Sequence, residues 1–144
     1  MENSVSNPQA WTFFADKDLL AAETLVDKAE LSGETVFHCQ QAVEKYFKAF
    51  LTKNKIPFKK THDLAELYLK VKEIKDWDID EIKLERLNDL YIETRYPSSI
   101  GLLADGSIPE QDDAKMFLKF TQRIAKIAIS EIQLQNPNPP QEAQ

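Results

Sequence analysis

Apolar residues recur at helical spacing along most of the chain, and no strand-like alternation competes with them. The first such stretch runs from about Pro8 to Ala29, with Trp11, Phe14, Ala15, Ala22, Leu25, Val26 and Ala29 on the repeat. Pro8 suits a first turn, and Ser32-Gly33 marks the end. The second runs from about Glu34 to Asn54. Val36, Cys39, Val43, Tyr46, Phe47 and Phe50 form one apolar stripe, which assigns Gln41, Glu44, Lys45 and Lys48 to the opposite side. Glu44 and Lys48 stand in the favourable i,i+4 order, worth ~0.3 kcal/mol in an isolated helix. Pro57 blocks continuation.

Three further helices follow. Thr61 is the expected cap of the third, whose buried side is Leu64, Leu67, Tyr68 and Val71. Asp78 and Glu81 read as a capping box for the fourth, with Trp77 and Ile82 at the spacing of a hydrophobic staple. Its apolar side is Leu84, Leu87, Leu90 and Tyr91, and Pro97 stops it near Arg95-Tyr96. After the loop SSIGLLADGS, Ser107 and Glu110 form a second capping box, with Pro109 in the tolerant first turn. Phe117, Leu118, Thr121, Ile124, Ala125, Ala128 and Ile132 give the last helix its packing face. The expected fold is an all-α, up-and-down bundle of about five helices over residues 8–133. The Pro- and Gln-rich tail over 134–144 is expected to be disordered.

Composition narrows this picture. A chain of 144 residues, 42% hydrophobic and with three Gly, suits one globular domain with one modest core. Trp11, Phe14, Phe37, Phe47, Phe50, Phe117 and Phe120 are too many rings to turn inward comfortably, which points to a dimer interface. The net charge of −6 argues against a generic electrostatic nucleic-acid binder. A local basic stretch nevertheless holds Lys45, Lys48, Lys53, Lys55, Lys59 and Lys60. No apolar run spans a bilayer and the N-terminus does not read as a signal peptide, so a cytoplasmic protein is expected.

Few residues carry chemistry. Cys39 is the sole cysteine and falls on the apolar stripe, so it reads as an inert buried thiol. No metal-ligand motif and no glycine-rich phosphate loop is present, and no cofactor is expected. Asp112-Asp113, and Asp78 with Asp80, sit where helix starts favour carboxylates. His38 borders the apolar stripe as a partly buried core or interface residue. His62, in THDL, is read in the first turn of the third helix, whose positive end disfavours imidazolium. Its alternative role is in a groove shared with Asp63 and Arg95. Arg95, in TRYPS, caps carbonyls, pairs with Glu44 or binds a phosphate; Tyr96 packs on a neighbouring helix or stacks on a base.

The run CQQAVEKYFKAFL, then THDL, then the arginine of TRYP resembles the HEPN domain family in order and spacing, over roughly Ala10 to Ile132. The resemblance implies an all-helical, usually dimeric bundle. It is strongest to the small stand-alone prokaryotic type, often encoded beside a minimal nucleotidyltransferase and in some pairs acting as toxin and antitoxin. Many members are metal-independent ribonucleases, with an Arg followed shortly by a His late in a helix. The Arg matches Arg95, but the residues after it, YPSSIGLLADG, contain no His, so the motif is incomplete. The implied protein is a homodimeric nucleotide- or RNA-binding partner or regulatory subunit of a nucleotidyltransferase, rather than an enzyme. Its ligand-binding residues are Arg95, Tyr96, Lys45, Lys48, Glu44 and His62. The alternatives are a metal-independent endoribonuclease toxin using Arg95 and His62, and a dimeric protein-interaction module without catalysis.

Overall fold

The computed structural model describes residues 7–94 and 109–134. Five helices appear: α1 (Pro8–Leu25), α2 (Ser32–Lys53), α3 (Leu64–Ile74), α4 (Glu81–Thr94) and α5 (Gln111–Leu134). A short 3-10 turn, Ala29–Leu31, joins the first two. The described residues contain no strand. The chain is an all-α, up-and-down bundle. Arg95, Tyr96, Pro97, the following loop, Ser107 and the tail lie outside the described residues, as does the side chain of Tyr91.

The bundle is organised around α2, which packs most extensively on α1 and α5 and also touches α3 and α4. Its expected stripe of Val36, Cys39, Val43, Tyr46, Phe47 and Phe50 is fully buried. Burial continues around the helix through Thr35, Gln40, Ala42, Glu44, Lys48, Ala49 and Leu51. The polar side assigned to Glu44 and Lys48 is therefore not a solvated face. Contacts with four other helices leave α2 only a narrow outer strip through Glu34, Phe37, His38, Gln41 and Lys45, so the amphipathic pattern holds for Gln41 and Lys45 but not for Glu44 and Lys48. The expected inner faces of α3 and α5 are buried, with Ile132 at the rim only partly so.

The helix boundaries depart from expectation at their caps. α1 ends four residues before Ala29, and Ser32-Gly33 opens α2 instead of closing α1. The 3-10 turn makes the reversal, with Ser32 Oγ donating to the Ala29 carbonyl at 2.8 Å. α3 is capped by Asp63, whose Oδ1 accepts from the amides of Ala65 and Glu66. Thr61 instead accepts from the Asp63 amide, fixing the approach to the helix. α4 is capped by Asp80, which accepts from Ile82 and Lys83, and not by Asp78.

Asp78 has a left-handed φ of 56°, which takes it out of any capping geometry. The staple does not form either: Trp77 is buried against Phe47 and Phe50, while Ile82 is exposed. At α5 the capping contact lies three residues later than the expected Ser107–Glu110 pair: Asp113 Oδ2 accepts from the Glu110 amide, and the Glu110 carbonyl takes the first helical bond from Ala114. α2 closes with the Ile56 amide on the Leu51 carbonyl and the Lys55 amide on Thr52, the Schellman arrangement. Lys55 takes the left-handed position, φ 60°, usually held by Gly.

Of the surplus rings, Phe47, Phe50, Phe117 and Phe120 are buried, and Trp11 and Phe37 are half-buried. Phe14 departs from the expected inner face of α1: it is exposed beside Phe13, the two rings meeting edge-on.

Candidate functional site

Gln40, Glu44 and Lys48 recur every fourth residue of α2, so their side chains stack along one side of the helix. Glu44 is 3% exposed and Lys48 5%. Two unpaired charges at that depth would unfold the site, and each is matched. Lys48 Nζ donates to Glu44 Oε2 at 2.8 Å. The same ammonium lies 5.3 Å from the ring centre of Trp11 on α1 and 5.8 Å from that of Phe58 in the α2–α3 loop. Aromatic faces are electronegative, so the two rings add to its stabilisation.

His62 approaches the same carboxylate from the loop before α3. Its Nδ1 is 3.1 Å from Glu44 Oε1 and 3.3 Å from Oε2. An ionised carboxylate only accepts, so Nδ1 carries a hydrogen directed at Glu44, and in the neutral ring Nε2 is the basic nitrogen. The His62 side chain is 49% exposed although the carboxylate behind it is buried. A buried group thus orients one that reaches the surface.

The backbone beneath His62 is also held. Gln40 Nε2 donates to the His62 carbonyl at 3.3 Å, and Gln41 Nε2 donates to Gln40 Oε1 at 3.1 Å. On the far side, Asn88 of α4 donates to Asp63 Oδ1 at 3.0 Å and accepts from the Leu64 amide at 2.9 Å. The THDL segment is therefore clamped between α2 and α4. His62 stands one residue ahead of the Asp63 cap, outside the helix, so its partner is a carboxylate and not the helix end. That corrects the placement of His62 in the first helical turn.

A family model for the HEPN domain matches residues 8–132. The chain belongs to the HEPN family. Searches of curated proteins and of solved structures give no significant match. HEPN domains are nucleotide-binding or ribonuclease-like domains on an all-α fold, and they commonly dimerise.

Within this HEPN domain the expected site residues divide. Glu44, Lys48 and His62 come together, with Asp63 alongside as a helix cap. Lys45 is engaged elsewhere: its Nζ donates to Asp18 Oδ2 of α1 at 2.6 Å, and His38 Nδ1 meets the other oxygen at 2.9 Å. Burial raises the Asp18 pKa, but the His38 and Lys45 hydrogen bonds and charges outweigh it and hold the carboxyl below the ordinary value of 3.8. Arg95 and Tyr96 lie outside the described residues. Gln40, Asn88, Trp11 and Phe58 were not among the expected site residues. Gln40 had a signal in its spacing to Glu44, whereas Asn88 had none.

Cys39 is fully buried, and burial pushes its thiol up to about 12, a contact with Thr121 offsetting only part of the shift. It has no nucleophilic character. Among the described residues no group of three or more His, Cys, Asp or Glu side chains could hold a metal ion. Among the same residues no helix is long and apolar enough to cross a membrane.

Proposed function

We propose that this HEPN domain binds a nucleotide or RNA at the His62 corner, as a cytoplasmic partner or regulatory subunit of a minimal nucleotidyltransferase in a toxin–antitoxin pair. The observation that carries the reading is a half-exposed imidazole oriented by a buried carboxylate. Protonated, that ring offers a phosphate a positioned cationic donor. Arg95 supplies a second, permanent cation, and Tyr96 a surface for a base. Support for their part comes from Asn88, which ties α4 to the residue beside His62, since Arg95 directly follows α4 in the sequence. Lys45 and Lys48, each held by a carboxylate, contribute charge to the surroundings instead of free ammonium groups. The domain acts as a homodimer, a reading supported by the exposed Phe13, Phe14 and Leu20 of α1.

The same geometry favours a second reading. With Nδ1 directed at Glu44, Nε2 of His62 is the atom a general base would use, and Arg95 would offset phosphate charge in a metal-independent ribonuclease. One experiment separates the two. Wild type, Arg95→Ala and His62→Ala are assayed for nucleotide binding by calorimetry and for RNA cleavage without added metal. Binding that weakens at least tenfold in both variants, with no cleavage by wild type, is the expected result. Cleavage by wild type that both substitutions abolish overturns the binding reading in favour of the nuclease. Absence of both binding and cleavage overturns both and leaves the protein-interaction module.

A further inference from the structure

Between Glu44 and Asp63 the sequence contains no acidic residue and six lysines, Lys45, Lys48, Lys53, Lys55, Lys59 and Lys60. That concentration stands out in a chain of net charge −6. Lys45 and Lys48 are neutralised by Asp18 and Glu44. Lys53, at the end of α2, and Lys55, just beyond it, are explained by the helix dipole, whose negative end favours cations. Lys59 and Lys60 have no such explanation. They line an open cleft of about 510 Å³ with Pro57, Phe58 and Lys70 of α3. Among the described residues Lys60 and Lys70 form no ion pair, and Lys59 reaches Glu66 only at 3.8 Å with its side chain 82% exposed. Three lysines with little neutralisation thus line one open cleft together with the aromatic ring of Phe58.

We infer that this cleft is a binding track for the backbone of single-stranded RNA. An open trough suits a polymer that passes through it better than a small ligand that must be enclosed. Lysines supply point charges for successive phosphates, and a half-buried ring offers a sequence-independent surface to a base. Phe58 is fixed for this by its edge-on packing against Trp11, 6.4 Å between centres, and by Lys48 over its ring. In the sequence the cleft residues lead directly to the proposed site, Lys60 being followed by Thr61 and His62. The inference rests on the nucleic-acid arm of the function proposed above and adds the polymer's path to it.

The test compares wild type, a Lys59→Glu/Lys60→Glu/Lys70→Glu triple variant and a control triple, Lys115→Glu/Lys119→Glu/Lys126→Glu, with the same net charge. The control lysines are exposed residues of α5. The probes are a labelled uridine 12-mer and uridine monophosphate, titrated at several salt concentrations. The cleft triple is expected to weaken 12-mer binding at least tenfold and to reduce the log–log salt slope by about 2, at ~0.7 for each phosphate that a lysine no longer neutralises. The control triple is expected to stay within about threefold of wild type, since distant exposed charges are largely screened. Equal losses from both triples, or none from the cleft triple, overturn the inference. Displacement of the 12-mer by poly-glutamate as readily as by unlabelled RNA also overturns it, in favour of an acidic protein partner. Monophosphate binding that needs His62, without tighter 12-mer binding, overturns the track and leaves the site reading standing. Lysine-dependent 12-mer binding indifferent to His62→Ala supports the track and removes the site reading.

Discussion

Truncating Lys48 removes the ammonium from a carboxylate that is 3% exposed and leaves His62 to compensate it. Breaking a buried pair from one side costs more than the pair contributes, because the remaining charge keeps its desolvation penalty. Lys48→Ala is therefore expected to destabilise by ~3 kcal/mol, comparable to Phe47→Ala in the adjacent core. A surface lysine would cost under ~0.5 kcal/mol. Urea melts decide, and the double variant Glu44→Gln/Lys48→Met should recover a substantial part of the loss. Asp18 behaves differently because its partners are only half-buried. Its pKa is held below 3.8 in the fold, so the native state binds its proton less readily than the unfolded chain. The resulting stability is complete above that value and is lost as pH falls through the lower, folded pKa. Thermal melts between pH 5 and pH 2 should show a steeper decline for wild type than for Asp18→Asn, with the difference confined to pH below about 4.

At the level of elements, the α3–α4 link is held by side chains with separate tasks. Asp76 Oδ1 accepts from the Tyr68 hydroxyl and the Asp78 amide, and the Tyr68 oxygen accepts from the Trp77 amide. Arg123 of α5 donates to the Asp78 carbonyl at 3.2 Å. Burial, partly relieved by the Trp77 amide, pushes the Tyr68 phenol up to about 12, so it remains a donor at neutral pH. Asp80 alone among the aspartates near this link meets the helix amides of α4 through its side chain. Asp80→Ala is expected to cost ~1 kcal/mol, the usual loss of a helix cap. Asp78→Gly should instead be neutral or stabilising, because Gly accepts the left-handed backbone without penalty. Chemical denaturation of the two variants checks both signs. The reverse order would restore Asp78 as the cap.

For the whole molecule, exposed large apolar side chains among the described residues occur singly on α3, α4 and α5 (Leu69, Ile82 and Ile129) but gather on α1, where Phe13 is 56% exposed, Phe14 48% and Leu20 62%. Light scattering at micromolar concentration is expected to give twice the 16.6 kDa chain mass. Phe13→Ser/Leu20→Ser should shift the species toward monomer with helical content unchanged, since neither side chain belongs to the core. A wild-type monomer at those concentrations would remove the dimer from the proposed function.

Periodicity alone was enough for the five helices and for the inner faces of α3 and α5. Each of those helices contacts the core from one side, and a one-sided helix writes its environment into its sequence. The order of CQQAVEKYFKAFL, THDL and TRYP was enough for the family, because motif spacing survives without knowledge of contacts. The caps were legible only to within a few residues. Asp80 competes with Asp78, an equally good acceptor that its left-handed backbone removes, and Asp63 with Thr61, a weaker cap that the sequence places two residues earlier.

The burial of Glu44 and Lys48 was not legible at all. An i,i+4 Glu–Lys pair looks the same on a solvated face as inside a bundle, and only the enclosure of α2 by four helices made it a buried pair. The orientation of His62 likewise depended on a residue eighteen positions earlier, brought near by the α2–α3 turn. Local sequence encodes which segments coil and which side is greasy. Which charges lose their water is decided by long-range packing.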